Sequence, residues 1–255
     1  MRSRYPSSTS TFASSFGPGP LTPAIKALVA ANAAVFVVSF LVPAIDLALQ
    51  RTFGLQPQSV IEQLRIWQLF TYMFLHGSFF HVLFNMLALW MFGVELERMW
   101  GSRFFTKFYF IAGGGAALTT LLLSFTPLPF ADQLYRSVTI GASGAVYGVL
   151  LAYARYFPHR PIYLYFVFPI PAKYFVMIMG AISLLSSMNG PGGGVAHTTH
   201  LGGLVAAYLY LKSGTGTNLM AEIKYRYLKW RINRMRRRFD VYSGGRVDDV
   251  DRHVH

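Results

Sequence analysis

The sequence predicts an all-α polytopic membrane protein, a bundle of six transmembrane helices with both termini in the cytoplasm. Three observations predict it. Hydrophobic residues make up 53% of the 255 residues and charged residues 13%, with a mean hydropathy of +0.39, far from a soluble domain's balance. Apolar segments recur at lengths near the ~20 residues that fill ~30 Å of hydrocarbon. Lys and Arg cluster beside alternate ends of those segments. No repeat with a period of tens of residues marks an array, so the chain divides into a disordered tail over 1–22, one helical domain over 23–212 and a basic cytoplasmic tail over 213–255.

The elements follow in order. The first 20 residues are rich in Ser, Gly and Pro and carry Arg2 and Arg4 without an acid, which reads as a tail, with a transit peptide as the alternative. The first span is 27–45, uncharged between Lys26 and Asp46. Residues 47–69 mix Gly54, Pro57, Glu62 and Arg65 into a long connection with some helix of its own. Further spans are expected near 81–93, 108–125, 142–154, 174–188 and 196–211. Pro158, Pro161, Pro169 and Pro171 interrupt the aromatic stretch before the fifth, which is therefore read as an interfacial loop.

Charge gives orientation. Arg2, Arg4 and Lys26, then Arg98, Arg103 and Lys107, then Arg155, Arg160 and Lys173, then the C-terminal tail all fall on one face. Arg51, Arg65 and Arg136 fall on the other. The net charge of +13 does not point to nucleic acid, because eight of the fifteen residues 224–238 are Lys or Arg interleaved with aromatic and aliphatic residues. That mixture suits anionic lipid headgroups; an ordinary positive-inside flank is the plainer alternative.

Polar residues inside such segments are costly, and those that persist are candidates for function. Gly141-Ala142-Ser143-Gly144 opens the uncharged run 137–154, and His81, Asn85 and His200 also lie in apolar segments that approach one face. A serine needs a neutral imidazole to take its proton, which casts Ser143 as nucleophile and His200 as base. No acid on those spans completes a triad, so a dyad is the simpler reading. His81 and Asn85, four apart on one helical face, could donate to an oxyanion together with a backbone amide. Each residue alone has a plainer role in helix packing. With no cysteine, a thiol nucleophile, disulfides and Cys-ligated metals are excluded. His76, His81, His197 and His200 could be imagined around a metal, but carboxylates nearby are scarce, so no metal and no cofactor is expected.

These motifs resemble the rhomboid family of intramembrane serine proteases. The resemblance is carried by His-Gly-Ser-Phe-Phe-His-Val-Leu-Phe-Asn at 76–85, Gly93 and Glu97, Gly-Ala-Ser-Gly at 141–144 with Tyr147, and His-Leu-Gly-Gly at 200–203. It implies Ser143 as nucleophile, His200 as base, and His81, Asn85 and the Ser143 amide as oxyanion hole. It implies that Gly141, Gly144 and Tyr147 line the site, that Glu97 ties the second span to its neighbours, and that Gly203 lets the sixth pack on the fourth. Two positions depart from the family: Trp67-Gln68 stands where Trp-Arg is usual, and Ala207 where the second small residue is usually Gly. The expected partners are single-span or polytopic membrane-protein substrates and the bilayer. The fifth span and the Gly-rich loop 186–194 are expected to control access, and a bacterial inner membrane is the expected location.

Overall fold

The computed structural model describes residues 17–164, 168–188 and 194–213. Helix α1 (Pro23–Leu41) begins on a proline, whose missing N–H costs nothing in a first turn. It is apolar all round and buries only Ala24, Ile25, Leu28 and Asn32, while Val37, Val38, Phe40 and Leu41 are exposed. Such a surface calls for an apolar solvent. The helix stops earlier than the expected span 27–45. Pro43 pushes Val42 out of helical conformation (φ −127°, ψ 74°) and opens α2 (Pro43–Phe53), to which Ile45 belongs.

The connection that follows holds α3 (Pro57–Glu62), α4 (Gln68–Thr71) and a 3₁₀ turn over Tyr72–Phe74. It is fastened to the last carbonyls of α2, which have no partners within their own helix. Trp67 Nε1 donates to Thr52 O (2.8 Å), Thr71 Oγ1 to Phe53 O (2.7 Å), and the buried Gln68 amide to Thr52 O and Arg51 O (3.2 and 3.3 Å). Gln68 Oε1 also accepts the Gln56 N–H (3.1 Å). A glutamine both donates and accepts and an arginine only donates, which accounts for the neutral residue here.

Helix α5 (Phe79–Trp100) is capped by Ser78, whose Oγ accepts the His81 N–H, and ends at Gly101, whose φ of +79° suits glycine. Helix α6 (Ser102–Leu123) follows at once, then α7 (Ala131–Arg136) and α8 (Ser143–Tyr156). The aromatic stretch expected to be an interfacial loop contains a two-stranded sheet. Strands β1 (Pro161–Leu164) and β2 (Phe168–Pro171) pair antiparallel with Pro161 opposite Pro171, and an Arg160–Glu95 ion pair ties them to α5. The prolines are tolerated because a two-stranded sheet is all edge. Helices α9 (Ala172–Met188) and α10 (Gly194–Lys212) complete the described chain.

Glu97, near the C-terminal end of α5, receives the backbone N–H groups of Ala24 (2.9 Å) and Ile25 (3.0 Å), the hydroxyl of Ser102 (2.6 Å) and that of Thr22. A carboxylate thus caps the first turn of α1 and joins three helices. Residues 17–22, expected to belong to the tail, lie along α5: Trp90 Nε1 donates to Gly19 O (2.9 Å), and Arg98 donates to Pro18 O (2.6 Å) and Pro20 O (3.4 Å). Residues 1–16 and the basic tail from 214 lie outside the described residues, as do 189–193 of the expected cap.

Small residues line the contacts among α6, α8 and α10. A Cβ on Gly203 would lie 1.9 Å from the Gly144 carbonyl oxygen; one on Gly148 would lie 2.6 Å from Ala112 Cβ and 3.2 Å from Ala207 Cβ. The helix backbones touch because side chains are absent, the usual route to helix association where lipid removes the hydrophobic drive. Among the described helices, α1, α5 and α6 are long and apolar enough to cross a membrane, and the apolar part of α9 is shorter.

Gly203→Ala is expected to destabilise the bundle by at least about 1–3 kcal/mol, because the clash is with backbone. Gly180→Ala should have little effect, since its Cβ meets only Leu204 at an ordinary 3.4 Å. Thermal unfolding of both variants in detergent checks the pair.

Candidate active site

Ser143 is the first residue of α8, so its amide belongs to the first-turn N–H groups that have no acceptor within the helix. The approach to it is fixed by the loop before. The Gly141 N–H donates to Tyr72 O (2.9 Å), and the Tyr72 hydroxyl is held by Gly113 O (2.8 Å), which ties the loop to the 3₁₀ turn and to α6. Gly141 has φ +120°, and a Cβ there would lie 2.6 Å from His81 Nε2. Both backbone conformation and space therefore require glycine at this position.

His200 lies in the second turn of α10. Its Nε2 is 2.7 Å from Ser143 Oγ, with the direction of donation set by the tautomer. Tyr147, one turn along α8 from Ser143, lies face to face with the His200 ring, centroids 4.3 Å apart and planes 9° apart. His197 meets the same ring edge-on at 5.6 Å. His200 Nδ1 is buried and has no hydrogen-bond partner among the described residues.

His81 and Asn85 come from the N-terminal turns of α5. His81 packs against Gly141, and the buried Asn85 donates through Nδ2 to His81 O (2.8 Å), a bond within its own helix. Glu97 lies sixteen residues further along α5 than His81, about 24 Å at 1.5 Å per residue, so it belongs to the other end of the bundle. Ser143, His200, Tyr147, His81, Gly141 and Gly144 are gathered at one end of the helices, whereas Glu97 is distant and Gly203 acts through packing. Among the described residues, no group of three or more His, Cys, Asp or Glu side chains is arranged to hold a metal ion.

Two contacts were not legible in the sequence. His76 is buried, meets His81 edge-on at 4.8 Å, and its Nε2 faces the Ala142 N–H at 3.5 Å. Burial first, and then the neighbouring His81, lower its pKa to about 4, so the ring is neutral. Its place in the 76–85 motif was a signal without a role. Ser183 of α9, fully buried, donates to Tyr147 Oη (3.3 Å); nothing distinguished it beforehand from Ser186 and Ser187.

Chemically, an alcohol and an imidazole nitrogen at 2.7 Å can exchange a proton, and His81 in the first turn of α5 packs against Gly141 just ahead of the first turn of α8. Replacing Gly141 by Ala should displace His81 and strain the loop, lowering stability by roughly 1–3 kcal/mol in thermal unfolding.

A family model described as a rhomboid domain matches residues 63–214, more than half of the chain. Rhomboid protein 1, mitochondrial, of Saccharomyces cerevisiae is 34% identical over 142 residues, covering 54% of this chain and 38% of that protein. Rhomboid protease GluP of Bacillus subtilis is 39% identical over 98 residues, 38% of this chain and 17% of that one. Rhomboid protease AarA of Providencia stuartii is 30% identical over 157 residues, 56% and 54% respectively. The chain thus spans less than two thirds of the length of each of these relatives. With a rhomboid domain and three helices of spanning length, the chain is an integral membrane protein. It belongs to the rhomboid family.

Proposed function

We propose that the chain is an intramembrane serine protease that hydrolyses peptide bonds in or near the transmembrane segments of membrane proteins. The observation that carries this reading is the 2.7 Å contact between Ser143 Oγ and His200 Nε2 inside a membrane bundle. Ser143 Oγ attacks the scissile carbonyl carbon while His200 takes its proton. The resulting oxyanion faces the Ser143 N–H, His81 and Asn85 Nδ2. As the intermediate collapses, His200 returns the proton to the leaving amine and an acyl-enzyme remains. His200 then takes a proton from the water that attacks the ester, and returns it to Ser143 Oγ as the acyl C–O bond breaks and the acid is released. No carboxylate faces His200 Nδ1 among the described residues, which favours a dyad.

The same reading places six crossings in the bilayer, formed by α1, α5, α6, α8, α9 and α10, with both termini cytoplasmic as the Lys and Arg clusters require. Its domain limits are those of a helical core over 23–212 between two tails. Helix α8 has 14 residues and is about 21 Å long, short of the ~30 Å hydrocarbon core. With Arg155 at the cytoplasmic interface, Ser143 lies below the opposite surface. That is where a substrate helix must be cut. The basic tail would rest on anionic lipid headgroups rather than nucleic acid. The matched relatives include a mitochondrial yeast protein and proteins of bacteria and a plant, and the bacterial inner membrane is proposed for this chain from its sequence alone.

A substrate helix has its backbone hydrogen bonds satisfied, so unwinding limits access to the bond that is cut. Replacing Gly near the outer end of a substrate span by Leu should slow cleavage several-fold, given the ~1 kcal/mol of helix propensity per Gly. The direct check uses purified protein in liposomes with a labelled single-span substrate and product sites read by mass spectrometry. Ser143→Ala and His200→Ala should each lose at least roughly three orders of magnitude in rate. Cleavage by Ser143→Ala at the wild-type rate would refute the reading.

A further inference from the structure

We propose that Ser183 on α9 is a positioning residue for the His200 base, acting through Tyr147. The proposal rests on the reading of Ser143 and His200 as nucleophile and base. In a Ser-His-Asp triad a carboxylate on Nδ1 fixes both the tilt and the tautomer of the imidazole. Here His200 Nδ1 is buried without a hydrogen-bond partner among the described residues, so the ring must be aligned in another way. Its broad face rests on Tyr147, 4.3 Å away and within 9° of parallel.

A stack alone is a soft restraint. The χ2 torsions of both histidine and tyrosine are broad, so two stacked rings can tilt and slide together unless one is held at a second point. Tyr147 is held at its far end, where Ser183 Oγ–H donates to Tyr147 Oη at 3.3 Å. Ser183 is fully buried on α9, whose neighbouring Ile182, Leu184 and Leu185 are exposed. A serine in a helix commonly returns its proton to its own backbone, as Ser187 does one turn later to Leu184 O (2.7 Å). Ser183 instead directs its proton across to α8.

The connected path runs from α9 through the Ser183–Tyr147 hydrogen bond and the Tyr147–His200 stack to Ser143 Oγ. Through it α9 fixes the tilt of the His200 ring, one of the two things the carboxylate does in a triad. It also makes the base's alignment conditional. Moving α9 away from α8 breaks the bond, frees Tyr147 to tilt, and lets Nε2 leave the serine. Ser143 is therefore activated only while α9 is seated.

The test is kinetic and spectroscopic, on the full-length protein with a single-span substrate. Ser183→Ala should lower kcat by roughly threefold to tenfold, the worth of one neutral hydrogen bond, with KM within about twofold. Ser183→Thr, which keeps the hydroxyl, should recover most of the loss. Tyr147→Phe removes the acceptor, so adding Ser183→Ala to it should change nothing further. The His200 imidazole resonance of histidine-labelled protein should shift or broaden in Ser183→Ala and stay in place in Ser186→Ala. Wild-type kcat in Ser183→Ala, a loss confined to KM, additive effects in the double variant, or an unmoved His200 resonance would each overturn the proposal. If wild-type protein cleaves no substrate yet the resonance still moves in Ser183→Ala, the positioning contact stands and the proteolytic reading is what fails.

Discussion

The backbone contact between α8 and α10 at Gly144 and Gly203 is the constraint on which the site depends. Gly144 immediately follows Ser143 and Gly203 is three residues past His200, so the distance between the helices at that crossing sets the distance between the two side chains. A Cβ on Gly203 would lie 1.9 Å from the Gly144 oxygen, which leaves no room for a methyl group without separating the helices. Separation by an ångström would lengthen the 2.7 Å contact beyond hydrogen-bond range. Ala112, Gly148 and Ala207 continue the same close approach toward the other end of α8. In lipid this geometry comes from van der Waals packing rather than from hydrophobic burial, which explains why small residues are required.

Other parts of the bundle serve that crossing from outside. The connection after α2 caps its carbonyls through Trp67, Gln68 and Thr71, and its 3₁₀ turn then presents Tyr72 to the loop before Ser143. Glu97 secures α1 and α6 to the far end of α5, so that α5 can hold His81 against Gly141. The arrangement brings imidazole, hydroxyl and first-turn amides together without a buried charge. A bilayer favours that economy, since a carboxylate at this depth would need its own partners.

Much of this was legible in the residues. Each of the six apolar segments overlaps a helix, and three of those helices are long and apolar enough to cross a membrane. Ser143, His200, His81 and Asn85 could be singled out because each is a polar residue in an apolar setting. Contacts that depend on three-dimensional neighbours were not legible. The order in residues 17–22 comes from Trp90 and Arg98, more than 70 positions away. The hairpin at 161–171 was masked by prolines that only an isolated two-stranded sheet tolerates. The break at Val42 needed the local effect of Pro43 to outweigh hydropathy. Ser183 and His76 gained their contacts only when α9 met α8 and when the turn before α5 met the loop at Ala142.

In the proposed mechanism the packing of α8 against α10 makes Ser143 a nucleophile by giving it His200 as a base. Peptide mapping of protein treated with a fluorophosphonate probe tests it without choosing a substrate. A single adduct is expected, on Ser143, that is lost in His200→Ala while the variant still melts as a folded bundle. An adduct on another serine, or equal labelling of Ser143 in the folded His200→Ala variant, would contradict it.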